Sequence, residues 1–141
     1  MFLDLETVAR IERAEARLVA EGGDVMADMH PEADFTVTRA GDGAGWAVSF
    51  SGEYAPFTKW AGLGFGPLPE PERFDMVESV FDLAGAPVTV ELASCGDPDL
   101  LGILSERGYQ LRRFENVMVR GLSLDGLGDL QGVSGPKVSM E

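Results

Sequence analysis

The sequence predicts a mixed α+β fold: a central, largely antiparallel sheet flanked by helices, in the order α-β-β-β-α-β-α-β. Three observations predict it. Apolar residues recur at helical spacing in three separate segments. Two early segments, around 34–40 and 46–51, alternate apolar and polar residues as half-buried strands do. Later, a β-branched run, a capped helix and a second β-rich run follow one another from Pro87 to Arg120, the grammar of neighbouring strands joined by a packed helix.

The first helix is expected from Asp4 to Ala20. Leu5, Val8, Ile11, Leu18 and Val19 give it an apolar side, and Gly22-Gly23 reads as its end. Phe35 and Val37 alternate with Thr36 and Thr38. After a glycine-rich turn, Trp46, Val48 and Phe50 alternate with Ala47, Ser49 and Ser51, so the two segments read as an antiparallel hairpin. A third strand is expected near Phe57–Ala61. Phe74, Val77, Phe81 and Ala84 recur at helical spacing from about Pro71, and Gly85 closes that helix. Pro87–Leu92 reads as a short strand of high β-propensity. Asp97-Pro98 opens a helix that buries Leu100, Leu101 and Leu104, and Arg107-Gly108 ends it. Tyr109–Arg120 reads as a long last strand, apolar on both parities and therefore covered on both faces. The Gly-rich stretch 123–141 reads as a linker or weakly ordered tail beyond a domain of residues 1–122.

Composition narrows the function. The chain has 141 residues, with 11 Lys+Arg against 24 Asp+Glu, a formal charge of −13. That length suits one domain. The acidic balance argues against nucleic acid and anionic membranes as partners, since both are recognised by clustered basic residues. No apolar run approaches the roughly 20 residues of a membrane helix. The acidic start, Asp4 and Glu6, lacks the basic region of a signal peptide. The lone cysteine, Cys95, cannot form an internal disulfide and fits a reducing, cytoplasmic setting. With one Cys and one His (His30), the chain offers too few soft ligands for a zinc site, so no metal is expected.

Phe57-Thr58-Lys59-Trp60-Ala61-Gly62-Leu63-Gly64-Phe65, Gly85–Leu92, Leu100–Tyr109 and Phe114–Val117, in that order and spacing, resemble the GNAT N-acetyltransferase superfamily. The likeness spans about Phe2 to Leu122 and is nearest to the N-terminal half of bacterial tandem-GNAT proteins. The resemblance implies acetyl-CoA as cofactor, held at a Gln/Arg-x-x-Gly-x-Gly/Ala turn by backbone N–H groups at a helix N-terminus. The matching residues here are Lys59, Gly62 and Gly64, with lysine in place of Gln/Arg. Where the family starts a helix at once, this chain has Phe65-Gly66-Pro67-Leu68-Pro69-Glu70-Pro71-Glu72. The three prolines lack amide donors, and Glu70 and Glu72 would repel a pyrophosphate.

No catalytic residues are assigned. Tyr109, Glu53, Glu91, Glu115 and Cys95 come into consideration, and each also has a plain structural reading. Two functions follow from the resemblance. One is a degenerate, structural or partner-binding half, pairing with a second GNAT domain that would follow it or with a copy of itself. The other is an active acetyl-CoA-dependent transferase acting on a small cationic amine, which the acidic charge would attract.

Overall fold

The computed structural model describes residues 4–40, 45–53 and 55–119. It is mixed α+β, in the order α1 (Leu5–Met29), β1 (Thr36–Arg39), β2 (Ala47–Phe50), β3 (Lys59–Ala61), α2 (Pro71–Leu83) and α3 (Asp99–Glu106). The chain divides into two units, Met1–Tyr109 and Gln110–Glu141, and all six elements lie in the first.

Helix α1 starts where Asp4 accepts the Thr7 N–H at 2.8 Å, an ordinary N-cap. It does not stop at Gly22-Gly23 as the sequence suggests but runs on to Met29. The glycines answer a need for space. A Cβ on Gly22 would lie 2.7 Å from the Phe57 ring, and one on Gly23 would overlap Ser49 and Val37. Close approach of the helix to the sheet offsets the roughly 1 kcal/mol that glycine costs inside a helix.

The expected hairpin forms. β1 pairs antiparallel with β2 from Thr36↔Phe50 to Arg39↔Ala47, and β2 pairs antiparallel with β3 from Ala47↔Ala61 to Ser49↔Lys59. Alternation along β2 then splits the packing. Val48 joins the main core with Trp46, whereas Ala47 joins Ala16 and Ala20 of α1 in a second, small-residue cluster. The main core is aromatic. Trp46 meets Trp60 edge-on at 5.4 Å, Trp60 lies 4.9 Å from Phe74, and Phe50 meets Phe81 edge-on at 5.3 Å. Phe74, Val77 and Phe81 of α2 and Leu100 and Leu104 of α3 close it. Leu101, expected to face inward, is exposed.

Two expected strands are corrected. Pro87–Leu92 forms only a parallel bridge, Trp60↔Val90. The Trp60 N–H donates to the Thr89 carbonyl at 2.8 Å, and the Glu91 N–H donates to the Trp60 carbonyl at 2.9 Å. The ladder goes no further because β3 is only three residues long and is followed by Gly62 at φ +80°. The last strand, expected over Tyr109–Arg120, is absent from residues 109–119. Tyr109 packs on the core of the first unit. Within the second unit, Leu111, Phe114 and Met118 are 74%, 83% and 92% exposed. A strand apolar on both parities needs a ladder and two covering faces, and the described part of its own unit supplies none. The boundary at residue 122 and the stretch 123–141 lie outside the described residues. Among the described residues no helix is long and apolar enough to cross a membrane.

Candidate functional site

Lys59, Gly62 and Gly64 lie together at the end of β3, as their sequence spacing requires. Their surroundings decide what the turn can do. β3 runs beside α1 and the 89–91 segment, so the Lys59 ammonium lies between acids from both. It donates to Glu15 at 2.6 Å and to Glu91 at 3.0 Å. Burial pulls the Lys59 pKa down, but the hydrogen bonds to Glu15 and Glu91 and their charges outweigh it, and the net shift is upward. Glu12, one helical turn before Glu15, is half-buried and has no cation partner among the described residues. Its pKa is raised, first by burial and then by repulsion from Glu15 and Glu91. Lys59 is thus a shared counter-ion for a cluster of carboxylates.

The glycines have equally local reasons. Gly62 and Gly64 both have positive φ, +80° and +91°, which L side chains rarely adopt. A Cβ on Gly62 would meet the Ala16 Cβ at 2.7 Å and the Gly45 carbonyl at 3.1 Å. One on Gly64 would meet the Asp97 nitrogen at 3.1 Å, and the Gly64 carbonyl accepts that N–H at 2.9 Å. Between them, Leu63 is 1% exposed. The turn is therefore clamped between α1 and the start of α3. The next helix, α2, begins only at Pro71, with Glu70 as an N-cap residue that makes no side-chain cap bond and Glu72 in the first turn.

The other candidates are dispersed. Glu91 holds Lys59, Glu115 pairs with Arg113 at 2.6 Å, and Glu53 and Cys95 are exposed. His30 sits edge-on to Phe35 and 3.4 Å from Glu32. The Tyr109 hydroxyl is shielded beside Glu78 without a well-formed hydrogen bond. Burial, then the Glu78 charge, pushes its pKa far above that of an ordinary phenol.

A cluster that sequence reasoning missed lies between α2 and α3. Arg107 donates to both carboxylate oxygens of Glu78 at 2.8 Å, also reaches Asp75, and lies over the Phe74 ring at 5.1 Å. The hydrogen bonds to Glu78 and then Asp75 raise its pKa, so it is a fixed cation. The sequence marks Arg107 only as a helix-end residue; its i, i+3 acidic partners on α2 were the available signal. Asp75, Glu78, Ser79 and Asp82 line an open depression there, and a half-open pocket between the sheet and α2 holds only about 10 Å³. Among the described residues, no group of His, Cys, Asp and Glu is arranged to hold a metal ion.

No family model matches the chain, and no curated protein or solved structure is significantly similar to it.

Proposed function

We propose that this chain is a GNAT-like domain with a structural or partner-binding role and with weak or absent acetyl-CoA binding. One observation carries the reading: Lys59, the cation nearest the glycine turn in sequence, is already held by Glu15 and Glu91. The residues present do not fit a pyrophosphate. The bare faces of Gly62 and Gly64 are occupied by the chain itself, and Glu70 and Glu72 place negative charge at the start of α2, where an anion would need a positive helix end.

The order α1-β1-β2-β3-α2 and the parallel joint at Trp60↔Val90, where a fourth strand is expected, support the GNAT-like reading; the two later strands are not formed among the described residues. The partner-binding role is supported by residues 110–119, where Leu111, Phe114, Val117 and Met118 are all exposed. Their β-prone composition suits addition to the sheet edge of a partner domain, a second GNAT domain or another copy of this chain. Lone Cys95 fits a cytoplasmic setting.

Calorimetric titration of the folded chain with acetyl-CoA tests the reading. No heat of binding is expected. A one-to-one complex with a dissociation constant of about 100 μM or tighter, near −5.5 kcal/mol, would overturn it and restore the transferase, with Lys59, Gly62 and Gly64 as its cofactor residues.

A further inference from the structure

Helix α1 carries an apolar stripe that is largely exposed among the described residues. Leu18, Val25 and Met29 are 51%, 54% and 66% exposed, and the half-buried Ile11 extends the stripe toward the N-terminus. These residues follow spacings of seven and four, one line along a helix.

Beyond Glu6, a first-turn acid on the same flank, the charges beside the stripe are sorted. Arg10, Arg13 and Arg17 lie in the N-terminal part of α1, and Glu21, Asp24 and Asp28 in the C-terminal part. At about 100° per residue, all six fall on the same flank of Leu18, and Arg10 and Asp28 share an offset of about 80°. Helix stability does not explain this order. The helix dipole favours acids at the start and bases at the end, and the last turn of α1 has no base. Arg17 pairs with Glu21 and Asp24 with Arg39 within the chain, whereas Arg10, Arg13 and Asp28 have no ion-pair partner among the described residues.

We propose that α1 is a self-association surface on which a second copy packs antiparallel, with the two-fold axis close to Leu18. Antiparallel packing about such an axis brings like flanks together and reverses them end to end. Arg10 lies about 12 Å from Leu18 along the helix, and Asp28 lies about 15 Å on the other side. Reversal therefore puts Arg10 of one copy within about 3 Å, along the axis, of the level of Asp28 in the other. Arg13 meets Asp24 and Arg17 meets Glu21 in the same way. Ile11 comes opposite Val25, and Leu18 meets its symmetry mate. A parallel pair would instead place the two sorted flanks on opposite sides of the contact, where Arg10 and Asp28 do not meet. The sorting also answers the objection that two chains of charge −13 repel, because it places the attraction locally, along one flank.

The surface is formed by α1 alone, and the inference stands whether or not acetyl-CoA binds. Sedimentation equilibrium of the full chain at about 100 mM salt, over roughly 10–500 μM, tests it. A reversible monomer–dimer equilibrium is expected. Arg10→Glu and Asp28→Arg, both at exposed positions, should each weaken the dimer at least about fivefold, since each reverses two symmetric contacts. The double variant carrying both changes should return to within about twofold of the parent, a result that a parallel pair would not give. A chain monomeric throughout the range would overturn the inference. So would a dimer indifferent to these changes but lost on Phe114→Asp, or a double variant as weak as the single ones. Circular dichroism on each variant confirms that the helices are intact.

Discussion

Gly62 rests directly on Ala16: a Cβ at position 62 would stand 2.7 Å from the Ala16 Cβ. This contact seats the end of β3 on α1 and sets the height of the glycine turn. Gly62→Ala adds a left-handed backbone cost of about 1–2 kcal/mol to an overpacking cost of about 1–3 kcal/mol. Urea denaturation should show a loss of about 2–5 kcal/mol. Adding Ala16→Gly should recover part of the packing cost and none of the backbone cost, so the two changes should not add. A Gly62→Ala chain as stable as the parent would mean that the glycine is not kept for packing.

Glu12 is penalised for its charge. Its folded pKa lies above the ordinary 4.5, so its contribution to stability is fully present below that value and is lost as pH rises through the folded pKa. Glu12→Gln should therefore stabilise the chain at pH 7, by less than about 1 kcal/mol given half burial. The advantage should shrink as pH falls toward 4. Lys59 follows the same sign at the other end of the scale. Its raised pKa supplies stability below the ordinary 10.5 that is lost as pH rises through the folded value. Thermal melts of parent and variant from pH 4 to pH 8 check the carboxylate.

The phenol of Tyr109 should resist ionisation. Its pKa is raised, so the stability it brings is complete below the ordinary phenol value of 10.0 and is lost only as pH climbs through the folded one. Absorbance near 295 nm should show a phase that ionises late or together with alkaline unfolding. Tyr109→Phe should remove that phase; if the late phase survives, the hydroxyl is not shielded as described.

Trypsin should find the second unit first. Arg112 and Arg113 lie in an exposed stretch without regular structure, whereas Arg107 is tied to Glu78 and Asp75 and Lys59 to Glu15 and Glu91. Mass spectrometry of a brief digest should show cleavage after Arg112 or Arg113 before any cut at Lys59 or Arg107. The opposite order would contradict the exposure of 110–119. Protection of these sites by a candidate partner would identify that stretch as the docking strand.

Local patterns were readable wherever a segment's own neighbours determine it. The alternation in 34–51 fixed the hairpin, and the spacing of Phe74, Val77 and Phe81 placed α2 correctly. Errors arose where distant residues decide. Gly22-Gly23 has the form of a helix stop, yet Ser49 and Phe57, far along the chain, make it a place of close contact. Tyr109–Arg120 has strand composition, but composition does not provide a ladder to join. At the glycine turn, the spacing of Lys59, Gly62 and Gly64 predicts that they lie together, as they do, and the sequence shows the acids at the start of α2. The grip of Glu15 on Lys59 was not, because 44 residues separate the pair.

The joint between Trp60 and the 89–91 segment has a kinetic consequence. β1, β2 and β3 are consecutive antiparallel neighbours, so their pairing closes only short loops. The parallel joint closes a loop that contains all of α2, and two backbone hydrogen bonds seal it. Closing the longer loop costs more entropy and is rewarded later. The joint is thus the natural seam for sub-global opening, a place where the hairpin sheet can outlast the helical half. In hydrogen exchange, the Trp60 and Glu91 amides should exchange together, at a rate set by the seam rather than by the hairpin beside it.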